Sequence, residues 1–112
     1  MGAKIAIASS SREDVVKYNL KVNSLTDYFD VIVGGNMVEH SKPAPDIYLE
    51  AAKRVGVAPE HCLVFEDIVT GLTAGKRAGM KLCAVEDVYS ADQKEAKKAM
   101  ADYYVENYLD LL

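Results

Sequence analysis

Short apolar runs recur along the chain, and each is followed by a stretch with helical periodicity. "KIAIAS" (4–9), "FDVIVGG" (29–35), "CLVFED" (62–67) and "KLCAV" (81–85) are too short to be helices and rich in Ile, Val and Leu. Runs of this kind read as buried strands. "DYYVE" (102–106) reads as a short fifth strand, and "NYLDLL" (107–112) as a closing turn of helix. Strands alternating with helices predict an α/β fold: a parallel sheet with helices on both faces, joined by right-handed crossovers.

The intervening helices carry their own signals. Ser11 with Asp14 resembles a capping box opening a helix over 11–22, and Val15, Tyr18 and Val22 share a face. "SKPAPD" (41–46) is a loop, because its prolines exclude regular structure. Asp46 is placed to cap a helix over 47–55, with Ile47, Ala51 and Val55 aligned and Gly56 ending it. Gly71 and Gly75 weaken the helix expected over 68–79. Ser90 with Gln93 offers a second capping box before a helix over 91–101.

A chain of 112 residues, half of them hydrophobic, suits one domain spanning 1–112. The net charge of −4, without a dominant Lys/Arg cluster, argues against nucleic-acid or anionic-membrane partners. "KEAKK" (94–98) is mixed in sign and reads as a solvated helix face. Cys62 and Cys83 read as buried, reduced thiols, and no signal peptide or spanning segment is visible, so a cytoplasmic location is expected. His40 and His61 fall in loops and read as surface or loop-packing residues. Tyr103, Tyr104 and Tyr108 are expected to anchor the C-terminal segment onto the sheet.

In parallel α/β sheets ligands gather at the carboxyl ends of the strands. The first strand ends in Ser9, Ser10 and Ser11, whose hydroxyls and amides suit a phosphate, although Ser11 could simply cap the helix. Lys42 follows the second strand in a proline-stiffened loop, where it could neutralise a phosphate or be an ordinary exposed lysine. Glu66 and Asp67 end the third strand. A pair of carboxylates there suits Mg²⁺, and Asp67 could equally cap the next helix. Hydroxyls, lysine and acids following successive strands would converge on one crevice able to hold a phosphorylated ligand and Mg²⁺.

"KIAIASSS", "SKPAPDIYLEAAKRVGV" and "LVFEDIVTGLTAGKRAGM" closely resemble the haloacid-dehalogenase-like (HAD) superfamily, nearest its β-phosphoglucomutase and phosphoglycolate-phosphatase-like branch, over nearly the whole chain. The resemblance implies a three-layer, Rossmann-like core containing the second, third and fourth motifs. It implies that Ser9 hydrogen-bonds the transferring phosphoryl group and that Ser10 and Ser11 contact substrate phosphate. Lys42 would stabilise charge on the nucleophile and the phosphoryl group, and Glu66 and Asp67 would hold Mg²⁺. Small phosphorylated metabolites such as sugar phosphates would be the substrates of a phosphatase or phosphomutase. Two positions depart from the pattern. Ile68 stands where relatives usually carry a small polar residue, and Glu13 lies near a position where some relatives contact phosphate.

The resemblance also implies an Asp-x-Asp nucleophile strand and a helical cap, and neither is recognisable in these 112 residues. Gly2-Ala3-Lys4 looks like an internal junction, so Met1 is expected to be an internal methionine, a late start or a fragment boundary. In the family the nucleophile strand lies between the strands ending in Ser9 and Asp67. The gap could close by direct pairing, be covered by a second copy, or be filled by the missing segment as a separate chain; closure or self-association is the expectation. The expected function is a truncated Mg²⁺-dependent phosphatase or phosphomutase, inactive alone. The alternatives are a non-catalytic phosphate- or Mg²⁺-binding module, or one half of a split enzyme. A response-regulator receiver domain fits poorly, since Lys42 precedes the acids and no early acidic pair ends a strand.

Overall fold

Every strand pairing is parallel, as alternation with helices requires. The computed structural model describes residues 3–106. In chain order these form β1 (Ala6–Ala8), α1 (Glu13–Val22), β2 (Val31–Val33), α2 (Asp46–Val55), β3 (Leu63–Glu66), α3 (Val69–Arg77), β4 (Lys81–Val85), α4 (Lys94–Met100) and β5 (Tyr103–Val105), with short 3₁₀ turns between them. The "NYLDLL" helix and the anchoring role of Tyr108 lie outside the described residues.

The strands do not make one sheet. β1 pairs with β2, and β3, β4 and β5 pair in that order, as two separate sheets. Direct closure of β1 onto β3 is therefore not what the chain does. A cavity of about 680 Å³ separates them, with Ile5 and Ala6 on one side, Leu63 and Val64 on the other, and Ala51 and Ala52 of α2 against it. The physical reason is α2, which packs against β1 and β2 and keeps a helical wall behind the gap. β1 is consequently not the buried strand its composition suggests: Ile5 and Ala6 are exposed, Ile7 and Ala8 half-buried.

The core lies around α2, α3 and β4, on Val33, Ile47, Leu72, Leu82 and Ala84. Burial of each larger aliphatic side chain there contributes about 1.5–3 kcal/mol. Helix α1 contributes Val16 and Leu20, while Val15, Tyr18 and Val22 face solvent. The helix carries two apolar stripes, and contact with the sheet, not periodicity, selects between them.

Three expected caps are used differently. Arg12, not Ser11, precedes α1, and the free amide of Glu13 is satisfied at 2.8 Å by Asn36 Oδ1. Asp46 is the first residue of α2, and its carboxylate accepts from the backbone and ring nitrogens of His40. Ser90 and Gln93 do not box α4; Gln93 Oε1 accepts from Val69 N at 2.9 Å and so caps α3. Gly56 ends α2 in the left-handed conformation (φ 75°), as expected.

The "KEAKK" face is not wholly solvated: Lys97 is 1% exposed. Tyr103 is exposed, and only Tyr104 packs against the core. Cys83 is buried and Cys62 half-buried, both as free thiols. His40 and His61 are exposed. No helix among the described residues is long and apolar enough to cross a membrane.

Candidate functional site

The carboxyl ends of β1 and β3 are joined by one side chain. Lys42 Nζ donates to Glu66 Oε2 at 2.9 Å and to the carbonyl of Ala8, just before the serines, at 3.4 Å. Lys42 and Glu66 are 14% and 12% exposed at their side chains, so this is a shielded ion pair and not a surface one. Tyr48 OH donates to the same Glu66 oxygen at 2.7 Å, and its ring lies 5.0 Å from the Lys42 ammonium. Glu66 Oε1 accepts from the amide of Asp67 at 3.1 Å. Glu66 is thus fixed by donors on both oxygens.

The serine turn is fixed by two backbone bonds and one to a side chain. Ser9 N donates to Val33 O at 2.9 Å, Ser11 N to Ser9 Oγ at 3.1 Å, and Gly35 N to Ser11 O at 2.8 Å. Ser9, Ser10, Lys42, Glu66 and Asp67 line one open crevice of about 490 Å³, together with Glu86 and Asp87. Ser11 is not part of that lining. Glu13 pairs with Lys17 and also lies outside it, so its carboxylate does not face the crevice. Ile68, the other departure, is the residue preceding α3 and brings no polar group.

Gly71 explains the weak helical signal of α3. A Cβ there would collide with the carboxylate end of Glu66. The helix gives up propensity so that Glu66 can lie against it.

The electrostatics divide the two acids. Burial pushes the Glu66 carboxyl up, but the Lys42 ammonium and hydrogen bonds from Lys42, Tyr48 and Asp67 outweigh it and hold the group below its ordinary range. Burial also pushes Asp67 up, and there the hydrogen bond and charge of Glu66 add to it. Burial and then the Glu66 charge hold the Tyr48 hydroxyl far above its usual range, so Tyr48 serves only as a donor. An anionic Asp67 beside an anionic Glu66 is disfavoured unless a cation joins them.

That donor set fits Mg²⁺, which takes one or two carboxylates and completes its shell with water and phosphate oxygens. Among the described residues no group of three or more His, Cys, Asp or Glu side chains forms a fuller cage. The sequence marks Gly71 only as a residue that weakens its helix and gives Tyr48 no role. The signal for Tyr48 was available: a tyrosine on the apolar face of α2, beside Ile47 and Ala51, needs a partner for its hydroxyl.

Comparison with known proteins identifies the family and the fold. The model of a family described as haloacid dehalogenase-like hydrolases matches residues 1–85. The Bacillus subtilis protein YhcW is 51% identical over 85 residues, 76% of this chain and 39% of its own. Fructose-1-phosphate phosphatase of Escherichia coli is 41% identical over 76 residues, 68% of this chain and 40% of its own. The structure of CbbY from Rhodobacter sphaeroides in complex with phosphate superposes with a TM-score of 0.86 at 30% identity, over 98% of this chain and 49% of that one. The chain thus spans 39% to 49% of the length of these relatives.

Proposed function

Because the chain belongs to the haloacid dehalogenase-like hydrolases, we propose that it carries the phosphate- and Mg²⁺-binding part of a phosphoryl-transfer site for small phosphorylated metabolites, sugar phosphates among them. The observation that carries this reading is the Lys42–Glu66 pair, which draws the serine turn and the acids into one crevice. In it, Ser9 and Ser10 hold phosphate oxygens, while Ser11, whose amide is spent on Ser9 Oγ, stays outside the crevice lining. Lys42 neutralises their charge, and Glu66 and Asp67 hold Mg²⁺. When bound, Mg²⁺ would neutralise charge on the phosphoryl group and orient it. Lys42 acts as a point charge, and the donors on Glu66 fix that carboxylate in place.

These 112 residues include no Asp-x-Asp. A covalent route through an aspartyl phosphate therefore needs a carboxylate from outside them. On this reading the chain alone binds but turns over little, and a strand supplied beside β1 and β3 would complete it as one half of a split enzyme. The gap between the two sheets favours that second reading over a purely non-catalytic module. An assay with p-nitrophenyl phosphate and Mg²⁺ tests both. Negligible turnover by the chain alone, gained when a family-type Asp-x-Asp segment is added and lost again in Asp67→Asn, is the expected result. Robust turnover by the chain alone would overturn it.

A further inference from the structure

Lys97 is the largest fully buried side chain among the described residues, and it is charged. Its ammonium donates to Asp67 O at 2.8 Å, Val85 O at 3.0 Å and Ser90 Oγ at 3.2 Å. An ammonium has three donors, and these acceptors use all of them. All three are neutral oxygens. Burying a charge without a carboxylate partner is costly, and an apolar side chain of similar volume would fill the space more cheaply. Packing alone does not account for a lysine here.

What the ammonium holds is informative. Asp67 O and Val85 O sit at the carboxyl ends of adjacent strands, where the site is built. Ser90 Oγ donates to the same Asp67 carbonyl at 2.8 Å, and Ser90 is 3% exposed. Ser90 also breaks the helical backbone of its segment, with φ −124° and ψ 29°. Gln93, from the same segment, holds the amide of Val69. Ser90, Gln93 and Lys97, spaced by three and four residues, therefore grip the loop from Asp67 to Val69 on both sides of Ile68. Asp67 itself lines the crevice, its carboxyl against that of Glu66.

We propose that Lys97, with Ser90, is a positioning residue for the metal-binding carboxylate of Asp67: it fixes the backbone from which that side chain projects. The inference rests on the reading of Glu66 and Asp67 as the Mg²⁺ ligands. It assigns a role in the site to the C-terminal segment, which lies beyond the family match to residues 1–85.

Terbium(III) emission tests it on the full chain, since a cation held by Glu66 would sit near Tyr48, a sensitiser of that emission. Wild type should bind Tb³⁺ in competition with Mg²⁺, and Asp67→Asn should not. Lys97→Met should weaken Tb³⁺ binding about tenfold, the low end for residues that orient metal ligands, and Ser90→Ala by less, about threefold. Val105→Ala, a buried change in β5 that leaves the grip intact, controls for lost stability, and thermal melts check that each variant is folded. Lys97→Met binding as tightly as wild type would overturn the proposal while leaving the metal site standing. If Lys97→Met does not fold, Ser90→Ala decides, and unchanged affinity overturns the proposal. If wild type fails to bind, or Asp67→Asn binds as well as wild type, the metal reading itself fails and takes the proposal with it.

Discussion

The sheet of β3, β4 and β5 keeps Leu82, Cys83 and Ala84 at 2% exposure or less, whereas the β1–β2 side leaves Ile5, Val15, Tyr18 and Val22 largely in water. The acids belong to the first region and the serines to the second. The acid loop is held from within its own region, by Ser90, Gln93 and Lys97. The serine turn meets the acids through α2 and one side chain, Lys42. β3 also leaves Leu63 and Phe65 exposed, and one apolar core around α2 joins Val33 to Val64 and Leu72; at the site itself the relation between the halves rests on Lys42.

Removing Lys42 should therefore have the largest effect. Lys42→Met strands the shielded Glu66 carboxylate and unties Ala8, for a loss of about 2–4 kcal/mol, read by chemical denaturation. The sign of its pH dependence follows from Glu66, whose carboxyl is held below its ordinary range. The stability it lends is complete above the unfolded-state value and fades as pH falls through the lower folded-state value. Lys42→Met should flatten that acid-side loss.

Next comes Gly71→Ala, which puts a methyl group into the Glu66 carboxylate. Alanine would gain up to about 1 kcal/mol of helix propensity. Because Glu66 is pinned by Lys42 and Tyr48, the clash should win, with a net loss of about 1–2 kcal/mol and weaker metal binding. Tyr48→Phe removes one donor to a carboxylate that keeps another, and should cost about 1 kcal/mol by the same denaturation measurement.

Asp67→Asn should act in the opposite direction on stability. The Asp67 carboxyl is pushed up by burial and by Glu66, so its ionised form weakens the metal-free fold at neutral pH. Replacing it with Asn should raise the melting temperature by roughly 1–4 °C without metal, as expected for under 1 kcal/mol at a partly exposed site, and abolish stabilisation by Mg²⁺. The smallest effect belongs to the exposed stripe of α1. Val15→Lys and Val22→Lys should each change stability by less than about 0.5 kcal/mol, whereas Leu20→Ala on the inner face should cost about 2 kcal/mol or more.

The order of strands and helices was legible in the sequence because apolar runs and turn residues are local. Ser9, Glu66 and Asp67 are legible as a candidate cluster because they follow strands, and Lys42 because it lies in the loop between β2 and α2; the crevice that gathers them is set by tertiary contact. What periodicity could not supply was set by tertiary contact. Val15, Tyr18 and Val22 look as good a core stripe as Val16 and Leu20, and only the seat against the sheet distinguishes them. Ser90 and Gln93 have the spacing of a capping box, yet they serve a loop more than twenty positions earlier in the chain. Lys97 reads as solvated because its acceptors, the carbonyls of Asp67 and Val85, leave no mark in sequence.

The central claim is that serines, lysine and acids form one site in which phosphate and Mg²⁺ meet. Titration calorimetry of inorganic phosphate into the chain, with and without saturating Mg²⁺, tests it most directly. Phosphate should bind more tightly when Mg²⁺ is present, and that coupling should be lost in Asp67→Asn. Phosphate affinity indifferent to Mg²⁺, or coupling that survives Asp67→Asn, would contradict it.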